Sequence, residues 1–289
     1  MTSPADATRP AAVVVLAAGE GTRMRSRTAK VLHELCGRSL VGHVLAAARG
    51  VRPEHLVVVV GHQREQVTAH VAELEPDAVT AVQDVQLGTG HAVRCALEAL
   101  PELAGTVVVL NADTPLVTPD TLATLLAAHG GHAATVLCAT VPDPAGLGRI
   151  VRHPDGRFAR VVEERDAGVA ERAIAEVNSG IYAFDAGLLA KTLDRLGTDN
   201  DQGQEYLPDV LGLLSGDGHP VAAVTAADHR DVLGCNDRVQ LAELRAILRD
   251  RLVADWMRAG ATVVDPATVW LDVDVVLGRD TVIHPNVQL

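Results

Sequence analysis

Three short segments of the 289-residue chain set small residues beside polar ones in ways that suit phosphate chemistry. The first is Leu16-Ala17-Ala18-Gly19-Glu20-Gly21-Thr22-Arg23-Met24. Its glycines follow an apolar run, so backbone N–H groups there can cradle an anion. It is not a dinucleotide fingerprint, because Met24 occupies the third glycine position, and no Gly-Lys-Ser/Thr completes a Walker A loop. A phosphate cradle and an ordinary β-to-α turn both fit the glycine spacing. Arg23 lies in the loop and Lys30 just beyond it, in a chain whose only other lysine is Lys191. An ammonium there is a compact point charge for a phosphate; a surface lysine is the plain alternative.

The second segment is Gln83-Asp84-Val85-Gln86-Leu87-Gly88-Thr89-Gly90-His91-Ala92. Small residues let a ligand approach the backbone, Gln83 offers an amide to the edge of a base, and Thr89 suits a helix N-cap. The third is Asn111-Ala112-Asp113-Thr114-Pro115-Leu116. Asp113 fits an Mg²⁺ site, where one or two protein oxygens join phosphate and water. It equally fits a turn-forming aspartate.

The elements that must position these segments follow from hydrophobic pattern. Val13–Leu16, Leu56–Val60, Val79–Val82, Thr106–Leu110 and Ala133–Val141 read as buried strands. Helical stretches at Leu40–Ala48, Gln63–Glu73, Thr89–Leu100 and Thr118–His129 alternate with them. Apolar strands alternating with helices give a parallel α/β sheet covered on both faces, with ligands beyond the carboxyl ends of the strands. After about residue 142 the pattern turns mixed. Arg149–Arg152 and Phe158–Glu163 flank an Asp155-Gly156 turn, and Ile181–Phe184 and Val221–Thr225 read as further strands. Leu241, Leu244, Leu248, Leu252 and Trp256 mark one face of a long helix over Asp237–Met257, with Asn236 placed to cap it. Val282–Val287 fits one rung of a hexapeptide β-helix.

Composition narrows the function. Hydrophobic residues make up 48% and charged residues 21%, as in a globular protein. The net charge of −12 with no basic tract, and only two each of Phe, Trp and Tyr, exclude general nucleic-acid binding. Cys36, Cys95, Cys138 and Cys235 form no CxxC pair and read as reduced thiols. No apolar run is long enough to span a membrane, and Met1–Arg9 reads as a polar, disordered tail rather than a signal peptide, so a cytoplasmic protein is expected.

The three segments, together with Lys30-Val31-Leu32-His33, occur in an order that resembles the sugar-nucleotide pyrophosphorylases. The closest resemblance is to the uridylyltransferase part of the bifunctional N-acetylglucosamine-1-phosphate uridylyltransferase/glucosamine-1-phosphate acetyltransferase family. It runs from about Pro10 to the C-terminus. It implies a Rossmann-like nucleotidyltransferase with a mostly parallel mixed sheet over 10–232. A metal-ligand segment and long helix over 233–265 follow, then the start of a left-handed β-helix over 266–289. The implied reaction is Mg²⁺-dependent transfer from UTP to N-acetylglucosamine-1-phosphate, with no nucleic-acid or membrane partner.

The implied roles are as follows. Leu16, Ala17, Ala18, Gly19, Gly21 and Arg23 hold the nucleotide phosphates with Lys30; Gln83, Gly88 and Thr89 read uracil; Asn111 and Ala112 border the ligand; Asp113 and the distant Asn236 hold the metal; Gly148, Glu163 and Asn178 hold the sugar. Arg23, Lys30 and Asp113 carry the catalysis, and His33 and His91 support loops. Acetyl transfer and trimerisation through a β-helix are not expected of a chain ending at Leu289. Five positions depart from the resemblance: Ala112 for glycine, where a methyl is expected to crowd the ligand, Asn111 for a small or aromatic residue, Ala29 for proline, Leu147 for tyrosine and Pro208 for threonine. They keep two alternatives in view, a pyrophosphorylase for another sugar phosphate and a non-catalytic nucleotide-sugar binding protein.

Overall fold

The computed structural model describes residues 9–289, so residues 1–8 of the expected tail lie outside it. Arg9 is tied down, its Nε donating to the Arg52 carbonyl at 2.8 Å. The strands are β1 Ala12–Ala17, β2 Glu34–Leu35, β3 Arg38–Ser39, β4 His55–Val60, β5 Val79–Val82, β6 Thr106–Asn111, β7 Ala134–Thr140, β8 Arg149–Arg152, β9 Phe158–Val162, β10 Glu176–Asp185, β11 Val221–Thr225, β12 Thr262–Val263 and β13 Val282–Ile283. The helices are α1 Leu40–Gly50, α2 Arg64–Leu74, α3 Thr89–Glu98, α4 Pro119–His129, α5 Val169–Arg172, α6 Ala186–Leu193, α7 Asp209–Gly216 and α8 Arg238–Arg258.

The main sheet runs β11-β7-β10-β6-β1-β4-β5, with the β8–β9 hairpin attached through β10. β6, β1, β4 and β5 pair in parallel, as do β7 and β11. β10 runs antiparallel between β6 and β7. The fold is therefore the expected mostly parallel mixed α/β sheet. The chain leaves β1 toward β4 and β5, then returns to the other side of β1 as β6. That reversal opens a crevice at the carboxyl ends of β1 and β6.

Alternation along β1 shows why both faces are covered. Val13, Val15 and Ala17 enter one core layer with residues of α1, α2 and α4. Ala12 and Val14 enter the other, with residues of α3, α6 and α7. A smaller cluster joins Met24, Leu35 and Leu116 to Cys235, Leu241 and Leu244 of the α8 region, and so ties the first glycine loop to the long helix.

The long helix differs from expectation in two details. Its cap is Asp237, whose carboxylate accepts from the N–H groups of Val239 and Gln240, both at 2.9 Å, so Asn236 is not the cap. Its second half buries Val253 rather than Leu252, against Val263, Val269, Leu271 and Ile283. There β12 and β13 pair in parallel, and Trp270 bridges Gln288 in parallel. No helix among the described residues is long and apolar enough to cross a membrane.

Candidate active site

The loop after β1, the turn after β6 and the segment before α8 meet at one point. Ala112 N–H donates to the Leu16 carbonyl at 3.0 Å, locking the turn to β1. Cys235 N–H donates to the Asp113 carbonyl at 2.8 Å, bringing Asn236 beside Asp113. Lys30 Nζ forms an ion pair with Asp113 Oδ2 and lies 3.4 Å from Asn236 Oδ1. Arg23 donates to the same Asn236 oxygen at 2.9 Å. Two cations and two hard oxygen donors, far apart in sequence, thus share one cluster. Gly21, at φ 62°, leaves room for Lys30, because a Cβ there would collide with the lysine side chain. It serves the cluster by packing and does not line the cleft.

On one side of the cluster lies a cavity of about 300 Å³ lined by Leu16, Ala17, Ala18, Gly19, Lys30, Gln83, Gly88, Thr89, Asn111 and Asp113. Gln83 is buried, and its Nε2 donates to the Gly88 carbonyl at 2.9 Å and to His91 Nδ1 at 3.1 Å. Both amide hydrogens are used, and the Gly88 carbonyl, which can only accept, fixes the orientation of the amide. Gln83 Oε1 is left to accept from a ligand. Gln86, Val31 and Gln204 also line this cavity. Gln86 Nε2 donates to the Ala18 carbonyl at 2.7 Å and so braces the two glycine loops against each other.

On the other side lies a larger cavity of about 620 Å³, which shares Leu16, Thr89, Asn111, Asp113 and Gln204 with the first. Gly148, Glu163, Asn178, Tyr206 and Asn236 line it. Asn178 N–H donates to the Gly148 carbonyl at 2.8 Å, and its side-chain amide donates to the Tyr182 hydroxyl at 2.8 Å. A Cβ on Gly148 would lie 3.0 Å from Glu163 Oε1, so the glycine gives the carboxylate its place. Burial, and then the charges of Asp209 and Asp166, push Glu163 above the usual carboxylate range, with Arg149 acting in the opposite direction.

The geometry corrects two expectations and extends a third. Ala112 is 1% exposed and packs in the core, so its methyl neither lines the cleft nor crowds it. Thr89 is the first residue of α3 rather than its cap. Its hydroxyl accepts from Leu207 N–H at 2.9 Å and also faces the cleft. Gly88, at φ 119°, makes room for the Glu205 backbone, which a Cβ would strike. The small residues of this segment thus admit the 200–208 loop as well as any ligand. That loop, which entered the sequence reading only through Pro208, contributes Gln202, Gln204, Tyr206 and Pro208 to the larger cavity. It is held by hydrogen bonds of 2.8 Å (Glu205 N–H to the Leu87 carbonyl) and 2.9 Å (Gly90 N–H to the Glu205 carbonyl). Its docking depends on contacts distant in sequence, and no local pattern announces them.

A cleft at the sheet's switch point, with two cations beside a carboxylate, suits the binding of a phosphorylated ligand. Residues 13–263 match the MobA-like NTP transferase domain, and the chain belongs to that family of nucleotidyltransferases. It is 61% identical over 287 residues to the bifunctional protein GlmU of Streptomyces avermitilis, and equally to that of Streptomyces coelicolor. It is 57% identical over 289 residues to the bifunctional protein GlmU of Thermobifida fusca. Each comparison covers 98% of this chain and 60% of the relative, so the chain spans about three-fifths of the length of these proteins.

Proposed function

We propose that the chain transfers the uridylyl group of UTP to N-acetylglucosamine-1-phosphate, yielding UDP-N-acetylglucosamine and pyrophosphate for cell-wall precursor synthesis. One observation carries this reading: Arg23, Lys30, Asp113 and Asn236 converge where a smaller cavity meets a larger one. The α-phosphorus of a nucleotide and the phosphate of a sugar must meet at such a junction. A sugar-phosphate oxygen forms a bond to the α-phosphorus as the α–β bridging bond breaks, and pyrophosphate leaves with the electron pair. The nucleophile is already an anion, so the protein's work is positioning and charge neutralisation.

Arg23 and Lys30 offset charge on the triphosphate and the leaving group. Asp113 and Asn236 would hold Mg²⁺: their oxygens already converge on the Lys30 ammonium, and hard oxygen donors in small number suit that ion. When bound, Mg²⁺ supplies charge neutralisation to phosphate oxygens. Gln83 Oε1 accepts from the N3–H of uracil, a donor that cytosine lacks at that position, while Gly88 and Thr89 flank the ring. Leu16, Ala17, Ala18 and Gly19 follow the phosphates, and Asn111 borders both ligands. Gly148, Glu163 and Asn178 receive the sugar. In this reading 10–232 is the transferase unit, 233–265 delivers Asn236 and α8, and 266–289 begins a β-helix, a division supported by the parallel β12–β13 pairing.

The test is ³¹P NMR of a mixture of the protein, UTP and N-acetylglucosamine-1-phosphate. With Mg²⁺, diphosphodiester and pyrophosphate resonances grow together, and EDTA stops both. A folded sample that leaves the spectrum unchanged overturns the proposal.

A further inference from the structure

Gln83 follows β5 and His91 lies in the first turn of α3, so the two flank the second glycine segment. Gln83 is 4% exposed, and its amide N–H groups must find partners inside the protein. The Gly88 carbonyl accepts from Nε2 at 2.9 Å, and a carbonyl cannot donate. That sets Nε2 on the Gly88 side and Oε1 away from it. The same Nε2 lies 3.1 Å from His91 Nδ1. An amide nitrogen only donates, so Nδ1 must offer its lone pair. A neutral imidazole then carries its proton on Nε2, which lies 3.7 Å from Cys95 Sγ, one turn further along α3. The roles thus run from Gly88 through Gln83 to His91, and each fixes the next.

His91 does not line the cavity that Gln83 lines, so it acts on a base only through the glutamine. The edge of the base makes the orientation of the amide decisive. Uracil carries a hydrogen on N3, and cytosine carries a lone pair there. An amide that presents Oε1 receives the first; an amide turned over presents N–H groups and receives the second. Turning it over would set Oε1 against two acceptors, the Gly88 carbonyl and the His91 lone pair. The Gly88 carbonyl belongs to the backbone, so His91 is the half of the lock that a side chain supplies. We propose that His91 is a positioning residue for base selection, its Nδ1 lone pair holding the Gln83 amide in the orientation that accepts uracil and rejects cytosine. This rests on the uridine reading above and names the residue that enforces it. It differs from support of the loop, which needs bulk, because this role needs an acceptor at one atom.

The test measures equilibrium binding of UTP and of CTP to the full chain by calorimetry, with Mg²⁺ and without a sugar phosphate, so that no turnover interferes. His91→Phe keeps a planar ring and removes the acceptor. A buried amide N–H left unpaired is costly, so the preference for UTP over CTP is expected to fall by about tenfold. His91→Asn sets an amide oxygen near the place of Nδ1 and is expected to restore the preference to within about twofold of wild type. Neither change is expected to move the KM for the sugar phosphate. A His91→Phe protein that binds both nucleotides more weakly but keeps their ratio overturns the proposal, because the ring would then only support the loop. A wild-type protein with no preference for UTP overturns the uridine reading itself, and this proposal with it. A second measurement needs no variant: ring ¹⁵N NMR of the wild-type histidines at mildly alkaline pH, with His91 assigned through its backbone. The proton of neutral His91 is expected on Nε2, and an Nδ1–H tautomer overturns the proposal.

Discussion

The two halves of the cleft are built differently. At the junction, Arg23, Lys30, Asp113 and Asn236 form a cross-linked cluster. The larger half holds Gly148 and Asn178, joined through backbone, and Glu163, on which the acidic neighbours Asp166 and Asp209 act. The first arrangement suits a task common to any nucleotidyl transfer, the neutralisation of phosphate charge. The second suits selection among sugars, where hydroxyl and amide groups need acceptors and donors rather than cations. Substitutions in the two halves should therefore fail in different ways.

The largest effect is expected from Asp113→Ala. Loss of the carboxylate proposed to hold Mg²⁺, with its ion pair to Lys30, should lower kcat/KM by ~10³ or more, about 4 kcal/mol of transition-state stabilisation. Steady-state pyrophosphate release should show this loss for every sugar phosphate tried. Asn178→Ala should leave the KM for UTP unchanged and raise the KM for the sugar phosphate by roughly 10- to 100-fold, the scale of one lost hydrogen-bonding group. Equal damage to both KM values would remove the distinction between the halves.

Gly88→Ala attacks the wall that the halves share. It forces a side chain into a left-handed backbone and against Glu205, at an expected cost of about 1–3 kcal/mol in denaturant unfolding. Both KM values should rise as the 200–208 loop loosens.

Glu163→Gln gives a smaller, pH-dependent signal. The folded-state pKa of Glu163 is raised, so the wild-type fold gains stability as pH falls through that value and is penalised above it. The glutamine variant should therefore melt higher than wild type near pH 8, with the gap closing toward acid. The smallest effect belongs to Ala29→Pro. Ala29 has φ −55°, already in the proline range, so the substitution should stabilise the fold by about 0.4–1 kcal/mol and leave both KM values alone.

Much of this was legible in the sequence. The strands of the parallel sheet announce themselves as valine-rich runs, and the residues just after β1 and β6 are those at the switch point. What escaped was non-local. β10 begins at Glu176, five residues before the readable apolar run, because its first half carries Asn178, Ser179 and Gly180 around an irregular register. α6 and α7 are short helices of 8 residues each, below the length at which periodicity is persuasive. Asp237 and Asn236 are equally good caps by type; in the structure Asp237 caps α8 while the Asn236 side chain accepts from Arg23. The second role of Gly88 is visible only once the Glu205 backbone lies against it.

The central claim is that one cleft joins a uridine nucleotide to an acetamido-sugar phosphate across the Asp113–Asn236 cluster. The most direct test is the rate of pyrophosphate release with Mg²⁺ for UTP, CTP, ATP and GTP, each paired with N-acetylglucosamine-1-phosphate and with glucose-1-phosphate. The account predicts release selective for UTP with N-acetylglucosamine-1-phosphate. Release at equal rates with CTP, or preference for glucose-1-phosphate, would contradict the roles given to Gln83 and to the Glu163–Asn178 half.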